Sequence, residues 1–481
     1  MQVICQRFVL LTFFTFDDIM GISSCKRASR MEECILKVKK RKLSYTQLIV
    51  LSFLGVILVG ALILCLPISS AEHEWTDPLS ALFTATSATC VTGLIVVDTY
   101  THWSIFGQII ILLLIQIGGL GFMTIMTLFA IVTHRRITLH QRKLLMQSAG
   151  NYQLNGVMTL IQKILIGTVI FEGVGALLLA VRFIPMMGFG EGLYNAIFHA
   201  VSAFCNAGFD LMGKYGQFSS LTTFRDDAYV QMIIMALIII GGLGFFVWSD
   251  LLKCRHHFKK YALHTKIVLV TSGFLILVGA AGFFLLERNA SMADLPLWEK
   301  ILASFFQSVT TRTAGFNTVD QAMLSDGGGM LSIILMLIGG SPGSTAGGMK
   351  TTTILIVMLN VIASIRNRDG IEIFKKRIDD ETVKQAAAIT GIYMLLTLIV
   401  STIIVAFEPV DLEHVLFEVS SAIGTVGISM GLTQSLSALS HVLLMILMFV
   451  GRVGGLTFAL AFSTESVTAD IQRPRERVLV G

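Results

Sequence analysis

Four tetrads carry the chemistry that stands out in this sequence: Cys90-Val91-Thr92-Gly93, Cys205-Asn206-Ala207-Gly208, Arg312-Thr313-Ala314-Gly315 and Gly424-Thr425-Val426-Gly427. What they offer is backbone oxygen. Each ends on a glycine, where the chain can take angles that a side chain forbids. Each also closes a stretch that begins like a helix but is too short to cross a bilayer. A helix that stops at membrane depth must aim its last unpaired carbonyls at something polar, and a cation suits them. Four such ends closing around one axis would let the carbonyls of Val91, Thr92, Asn206, Ala207, Thr313, Ala314, Thr425 and Val426 replace the water around a dehydrated cation. None of the tetrads contains a carboxylate, whereas a divalent-ion filter is expected to show acidic side chains. The plainer alternative is an interhelical turn with glycine at a sharp corner. It would suffice for one copy, and four aligned copies argue against it.

Gly93, Gly208, Gly315 and Gly427 lie 115, 107 and 112 residues apart. Ten positions before each stands Phe83, Phe198, Phe305 or Phe417, and six before stand Ser87, Ser202, Val309 and Ser421. An apolar residue follows each glycine: Leu94, Phe209, Phe316 and Ile428. Further on comes a second glycine marker, Gly118-Gly119-Leu120-Gly121, Gly241-Gly242-Leu243-Gly244, Gly339-Gly340, and Gly451 with Gly454-Gly455. Two matched markers per copy make four related units the ground plan.

Of the 481 residues, 54% are hydrophobic and 14% charged, which excludes an ordinary soluble protein and gives an all-α polytopic membrane protein. Each unit reads as helix, short re-entrant helix with a bend, helix. The first (45–132) has Thr46 to Leu66, Asp77 to Gly93 and Trp103 to Val132; the second (156–252) has Gly156 to Phe183, Gly192 to Gly208 and Tyr229 to Leu252. The third (264–365) has Thr265 to Leu286, Trp298 to Gly315 and Met330 to Ile365; the fourth (383–464) has Val383 to Phe407, Leu412 to Gly427 and His441 to Phe462. That makes eight spanning helices around a central pore.

A head (1–44) with the basic run Lys37 to Lys42 precedes them, and a tail (465–481) follows. The net charge of +5 gathers in the segments joining units, such as Arg135 to Lys143, Lys253 to Lys260 and Arg366 to Arg377, while few basic residues flank the bends. By the positive-inside rule the bends face outward and both termini, head and tail, are cytoplasmic. The seven cysteines, mostly in or beside apolar segments, imply no disulfide framework, and no His, Cys and carboxylate cluster suggests a resident metal. No nucleotide-binding fingerprint appears, so no organic cofactor is expected in this chain.

Gly339-Gly340-Ser341-Pro342-Gly343-Ser344-Thr345-Ala346-Gly347-Gly348 breaks the last segment of the third unit between two apolar runs. Helix propensity costs about 1 kcal/mol per glycine and about 3 for proline. A polar helix-breaking insert at membrane depth is expected to line a water path, although a mere kink is the alternative. Lys350 ends the loop and is positioned to tether it. Arg452, within the last apolar helix, is costly unless paired or wet, so it is read as functional, with a structural arginine held by helix carbonyls as the alternative. Arg312 is expected to brace the third bend from behind, Glu172 to pair with a neighbouring helix, and His199 to be a hydrogen-bonded packing residue.

The segments Thr-Cys-Val-Thr-Gly-Leu, Phe-Cys-Asn-Ala-Gly-Phe, Thr-Arg-Thr-Ala-Gly-Phe-Asn and Ile-Gly-Thr-Val-Gly-Ile resemble the selectivity-filter segments of the Trk/Ktr/HKT potassium-transport superfamily, nearest the KtrB-type membrane subunit. The resemblance runs from about Tyr45 to the C-terminus; the head is longer than the family pattern. It implies potassium as the transported ion, because glycine at all four bends goes with potassium preference and serine at the first with sodium. It further implies that Gly339 to Gly348 obstruct the pore below the filter, with Arg452 projecting toward the axis. The implied partners are a second copy in a homodimer and a cytoplasmic ring of KtrA-type nucleotide-binding subunits that sense ATP or ADP. The implied place is a bacterial plasma membrane.

Other readings differ in what they require. A sodium-permeable or sodium-coupled transporter uses the same ring. A substrate-binding secondary transporter would have two inverted halves, whereas the charge pattern gives all four units one orientation. An intramembrane hydrolase using Ser202 with His199 lacks an orienting acid and oxyanion donors.

Overall fold

The computed structural model describes residues 45–121, 157–255 and 257–462. The head at 1–44, the continuation of the first unit from 122 to 132, the basic residues Arg135 to Lys143 and the tail at 465–481 lie outside the described residues.

The described chain is predominantly helical. Four helices are long and apolar enough to cross a membrane: α1 (Tyr45–Leu64), α4 (Val157–Met187), α8 (Leu263–Glu287) and α12 (Asp380–Phe407). At 1.5 Å per residue, the 20 residues of α1 span about 30 Å, the thickness of the hydrocarbon core. Their outer faces carry Leu58, Leu62, Val169, Leu177, Phe274, Leu285, Leu395 and Leu398, all exposed in the isolated chain. Such apolar belts suit lipid and would be a liability in water.

Inside them lie four shorter helices: α2 (Pro78–Cys90), α5 (Phe189–Cys205), α9 (Leu297–Thr310) and α13 (Leu412–Gly424). The start of α2 illustrates the local logic. Pro78 sits at the first turn, where its missing N–H costs nothing, and the Asp77 carboxylate accepts the Ser80 N–H at 3.0 Å. From Phe83 to Cys90 every residue of α2 is buried, and α13 is buried from Phe417 to its end.

The segments after the bends depart from expectation. Hydropathy alone predicts continuous helices over Trp103 to Val132, Tyr229 to Leu252 and His441 to Phe462. Instead α3 (Ile105–Leu120) stops at Gly121, α6 (Ala228–Leu243) at Gly244, and α14 (Ala438–Val453) at Gly454, with φ of +81°, +98° and +94°. The chain then resumes as α7 (Phe245–Cys254), turned 95° from α6, and as α15 (Gly455–Phe462). Those positive angles, open to glycine and closed to most side chains, are the physical reason for the breaks. In the third unit α10 (Asp326–Leu337) and α11 (Thr351–Ile365) flank the glycine-rich loop.

Among the described residues there is also one short sheet. β1 (Glu372–Ile373) and β2 (Lys376–Arg377) form a small antiparallel hairpin joining α11 to α12, with Glu372 opposite Arg377. Its two turn residues, Phe374 and Lys375, both have positive φ, the geometry of a tight hairpin turn.

Candidate functional site

The four glycine tetrads meet. In each, the residue two before the glycine is left-handed, Val91, Asn206, Thr313 and Thr425 at φ of 57°, 60°, 67° and 50°. The glycines follow at 94°, 71°, 87° and 91°. A β-carbon added to Gly93 would lie 2.5 Å from the Ala207 carbonyl oxygen, one on Gly208 2.8 Å from that of Ala314, and one on Gly315 2.6 Å from that of Val426. One on Gly427 would overlap the carbonyl of Thr92. The contacts run from first tetrad to second, third, fourth and back to the first, so the four bends form a closed ring. Glycine is required there twice over, by backbone angle and by the neighbour's oxygen. Among the described residues, none donates a hydrogen bond to the carbonyls of Val91, Thr92, Asn206, Ala207, Thr313, Ala314, Thr425 or Val426.

The ring's amides, in contrast, are tied down. Thr92, Ala207 and Val426 donate to the carbonyls of Ser87, Ser202 and Ser421, each at 2.8 Å. The Ser87 and Ser421 hydroxyls accept the Gly93 and Gly427 N–H at 3.0 and 3.1 Å, and the Ser202 hydroxyl donates to the Phe209 carbonyl at 2.6 Å. The serine six before the glycine is thus the brace of the bend. With amides bound inward, the carbonyls are left for the ring.

The third bend is shifted by one residue. Helix α9 ends at Thr310, Ala314 N–H reaches the Thr310 carbonyl at 3.0 Å, and the Thr310 hydroxyl donates to the Phe316 carbonyl at 2.6 Å. Thr310, five before the glycine, therefore does what serine six before does elsewhere. The buried phenylalanine moves with it: Phe83, Phe198 and Phe417 are fully buried, but here Phe306 is, while Phe305 is 36% exposed. Aligning on the glycines put Phe305 and Val309 in those roles, and the missing turn residue corrects both. The Arg312 guanidinium points outward, 3.3 Å from both the carbonyl and the hydroxyl of Ser272 on α8, so only its backbone belongs to the bend. Cys90 and Cys205 are buried free thiols, and Gly424 packs against the Met336 carbonyl.

The second glycine marker proves to be a docking device. A β-carbon on Gly118, Gly241 or Gly451 would overlap the carbonyl of Thr89, Phe204 or Ile423, in each case the residue four before a ring glycine. Without side chains, these helices press directly on the ends of α2, α5 and α13.

The loop Gly339 to Gly348 lies against those same places. Ser341 and Thr345 donate backbone N–H to Gly242 and Gly241, at 3.1 and 3.3 Å, and the Thr345 hydroxyl donates to the Phe204 carbonyl at 3.1 Å. Gly348 N–H reaches the Gly451 carbonyl at 3.2 Å, and Gly343 accepts the Phe245 N–H at 2.8 Å. Gly339 pairs with Met349, Gly340 with Thr351, and Ser344 with Ser341. A β-carbon on Gly347 would strike the side chain of Thr425, and one on Gly348 would lie 2.8 Å from the Gly424 carbonyl, so the loop touches the underside of the fourth bend. Pro342 and Ala346 complete its turn, with the Pro342 carbonyl at the break beside Gly244. Lys350 Nζ donates back to the carbonyls of Ala346 and Gly347 at 2.7 and 3.2 Å. Arg452 clamps the loop: its guanidinium donates to the Thr345 carbonyl and, at 2.5 and 3.0 Å, to those of Gly118 and Gly119.

On the other side of the ring is a cavity of about 520 Å³, lined by all four ring glycines together with Ile95, Asp210, Arg225, Asn317, Thr318 and Asp320.

The remaining candidates resolve simply. Glu172 accepts from the Gln116 amide at 3.1 Å, and His199 sits on the Asn195 carbonyl at 2.8 Å, bonded to Ser202 nowhere among the described residues. Three buried carboxylates escaped the sequence reading. Asp98 accepts the amides of Tyr100, Thr101 and Phe218; Glu287 holds Ser291 and Ser325; Glu418 holds Ser429, Met430 and Thr433. They pin the segments before and after the bends.

Over residues 45–470 the chain matches the family model TrkH, described as cation transport protein. It is 39% identical over 455 residues to the potassium/sodium uptake protein NtpJ of Enterococcus hirae, across 93% of this chain and 100% of that one. It is 36% identical to the Ktr system potassium uptake protein B of Bacillus subtilis, across 90% of this chain and 96% of that one. Among solved structures, the potassium transporter TrkH of Vibrio parahaemolyticus has the same fold, with a TM-score of 0.69 at 18% identity over 89% of this chain and 86% of that one. The chain thus belongs to the TrkH family of cation transport proteins, which are transporters and not enzymes.

Proposed function

We propose that this chain is the ion-translocating membrane subunit of a Ktr-type potassium uptake system, with the four-bend ring as its selectivity filter. The observation that carries the reading is the closed succession of ring contacts from Gly93 to Ala207, Gly208 to Ala314, Gly315 to Val426 and Gly427 to Thr92, with carbonyls that accept no hydrogen bond from described residues. Oxygens held in this way substitute for an ion's hydration shell. Glycine at every bend favours potassium. The names of the Bacillus subtilis and Enterococcus hirae relatives, potassium and potassium/sodium uptake proteins, support a monovalent cation.

Counting each broken post-bend segment as one span gives four helix, pore-helix, helix units and eight spans, with the bends outward and both termini in the cytoplasm of a bacterial cell. The loop at 339–348 is the barrier under the filter. Arg452 and Lys350 hold it closed, and its displacement opens the path. In the Bacillus relative the protein is one part of a Ktr system; by that analogy this chain works as a homodimer on a KtrA-type nucleotide-binding ring. A second reading, in which sodium permeates or is co-transported, is favoured by the name of the Enterococcus relative.

The test is rubidium uptake into vesicles that hold the purified full chain, with and without the soluble partner. Uptake competed by potassium and poorly by sodium is expected; no uptake under either condition would overturn the proposal.

A further inference from the structure

We propose that the cavity outside the ring contains a loading site for one alkali cation, formed by the Asp210 carboxylate, the Asn317 side-chain oxygen and the Thr318 hydroxyl. The proposal rests on reading the ring as an ion filter and extends that reading outward by one site.

Asp210 lies two residues beyond Gly208, and Asn317 and Thr318 lie two and three beyond Gly315, so all three line the cavity whose floor is the four glycines. Their bends are neighbours in the ring, since a β-carbon on Gly208 would lie 2.8 Å from the Ala314 carbonyl. Ser220 joins the two walls. Its hydroxyl accepts the Asn317 N–H at 3.1 Å, and Ser220 lies beside the Asp210 carboxylate. The Asn317 carbonyl also accepts the Leu221 N–H at 2.9 Å, which fixes the backbone beneath the side chain.

Two of the three oxygens lack partners. Thr318 is 1% exposed, and neither its hydroxyl nor the Asn317 Oδ1 has a hydrogen-bond partner among the described residues. Buried polar atoms are normally paired, and these two orphans belong to residues that line one cavity, which points to a ligand there. Asp210 supplies the charge. Its Oδ1 accepts the Met212 N–H at 2.9 Å, and a carboxylate retains acceptor capacity beyond one amide and one hydroxyl. Nearby Asp98 cannot serve in its place, because its oxygens are taken by Tyr100, Thr101 and Phe218.

One carboxylate with two neutral oxygens suits a monovalent ion that keeps part of its water; calcium sites use more ligands and more charge. The other charged groups on the cavity wall are Arg225 and Asp320. On this loop outside the helices, burial first and the Asp98 charge second push the Asp210 carboxyl up to about 7. It therefore gains charge, and attraction for a cation, as the pH rises from 6 to 8.

The test measures initial rubidium uptake by the full chain in vesicles as a function of external rubidium at both pH values. Wild type should half-saturate at lower rubidium at pH 8 than at pH 6. Asp210→Asn should raise the half-saturating concentration about tenfold at pH 8, the scale of one lost charge-assisted ligand, and abolish the pH effect. Asp210→Glu should recover part of the loss, and Thr318→Val should raise the concentration severalfold. Rubidium preference over sodium should survive in all three. A half-saturating value within twofold of wild type in Asp210→Asn, or a pH effect that persists in it, would overturn the site. Should that variant fail to reach the membrane, a wild type indifferent to pH together with an unaltered Thr318→Val overturns it equally. Wild-type vesicles that take up no rubidium would sink the filter reading itself, whereas selective uptake with a flat Asp210→Asn response sinks the loading site alone.

Discussion

The four-bend ring and the loop beside it are both glycine-rich backbone, yet they are held in opposite ways. Each bend is braced by its own helix: Ser87, Ser202, Thr310 and Ser421 bond within eight residues of themselves, and the ring glycines meet neighbouring carbonyls too closely for any side chain. The loop has few bonds of its own and borrows the rest, from Gly241, Gly242, Phe204, Gly451 and above all Arg452. Local bracing gives rigidity, which the proposed role of the ring in selecting among ions would require. Borrowed bonding gives a segment that can be released, because each external bond can be exchanged for water when a path opens.

Targeted changes in the two regions test that contrast. The largest effect is expected from Gly93→Ser, whose β-carbon would meet the Ala207 carbonyl at 2.5 Å in a backbone of φ +94°. Potassium over sodium preference in competitive uptake should fall at least about tenfold, equivalent to roughly 1.4 kcal/mol; an unaltered preference would count heavily against the ring as filter. Next, deleting Gly343 to Ala346 should raise basal rubidium flux without the soluble partner by about tenfold, which corresponds to a barrier lowered by roughly 1.4 kcal/mol. A flux no higher than wild type would remove the loop from the path.

Arg452→Ala should produce a smaller rise in flux, roughly fivefold, since it removes charge-assisted bonds worth about 1.5–3 kcal/mol each while leaving the loop's backbone contacts. A loss of thermal stability with no rise in flux would instead make Arg452 a purely structural clamp. Smallest, Thr310→Val and Ser421→Ala should each lower stability by about 1–3 kcal/mol through a bend left with an unpaired backbone group, whereas Phe305→Leu should cost little because that side chain faces outward. A costly Phe305→Leu with a neutral Thr310→Val would refute the one-residue shift of the third bend.

That shift marks where the sequence stopped being readable. The long apolar helices, the half-helices ending near Cys90, Cys205 and Gly424, and the loop after Gly339 follow from hydropathy, glycine spacing and proline, all of which act locally. The third bend did not, because a ring glycine fixes where a bend ends and says nothing of how many residues the turn takes. The breaks at Gly121, Gly244 and Gly454 were hidden for a similar reason: a glycine inside an apolar run is compatible with a straight helix until a neighbour, here the Pro342 carbonyl 2.8 Å from a β-carbon on Gly244, occupies the space a continuing helix would need. The roles of buried Asp98, Glu287 and Glu418 were not legible, since their partners are amides and hydroxyls brought near by the fold.

The central claim, that main-chain oxygens from the four bends coordinate a desolvated alkali cation, is tested most directly by an anomalous-scattering map of the rubidium-loaded protein. A peak is expected on the ring axis, within coordination distance of the carbonyls of Thr92, Ala207, Ala314 and Val426. Rubidium bound elsewhere with nothing on that axis would contradict it.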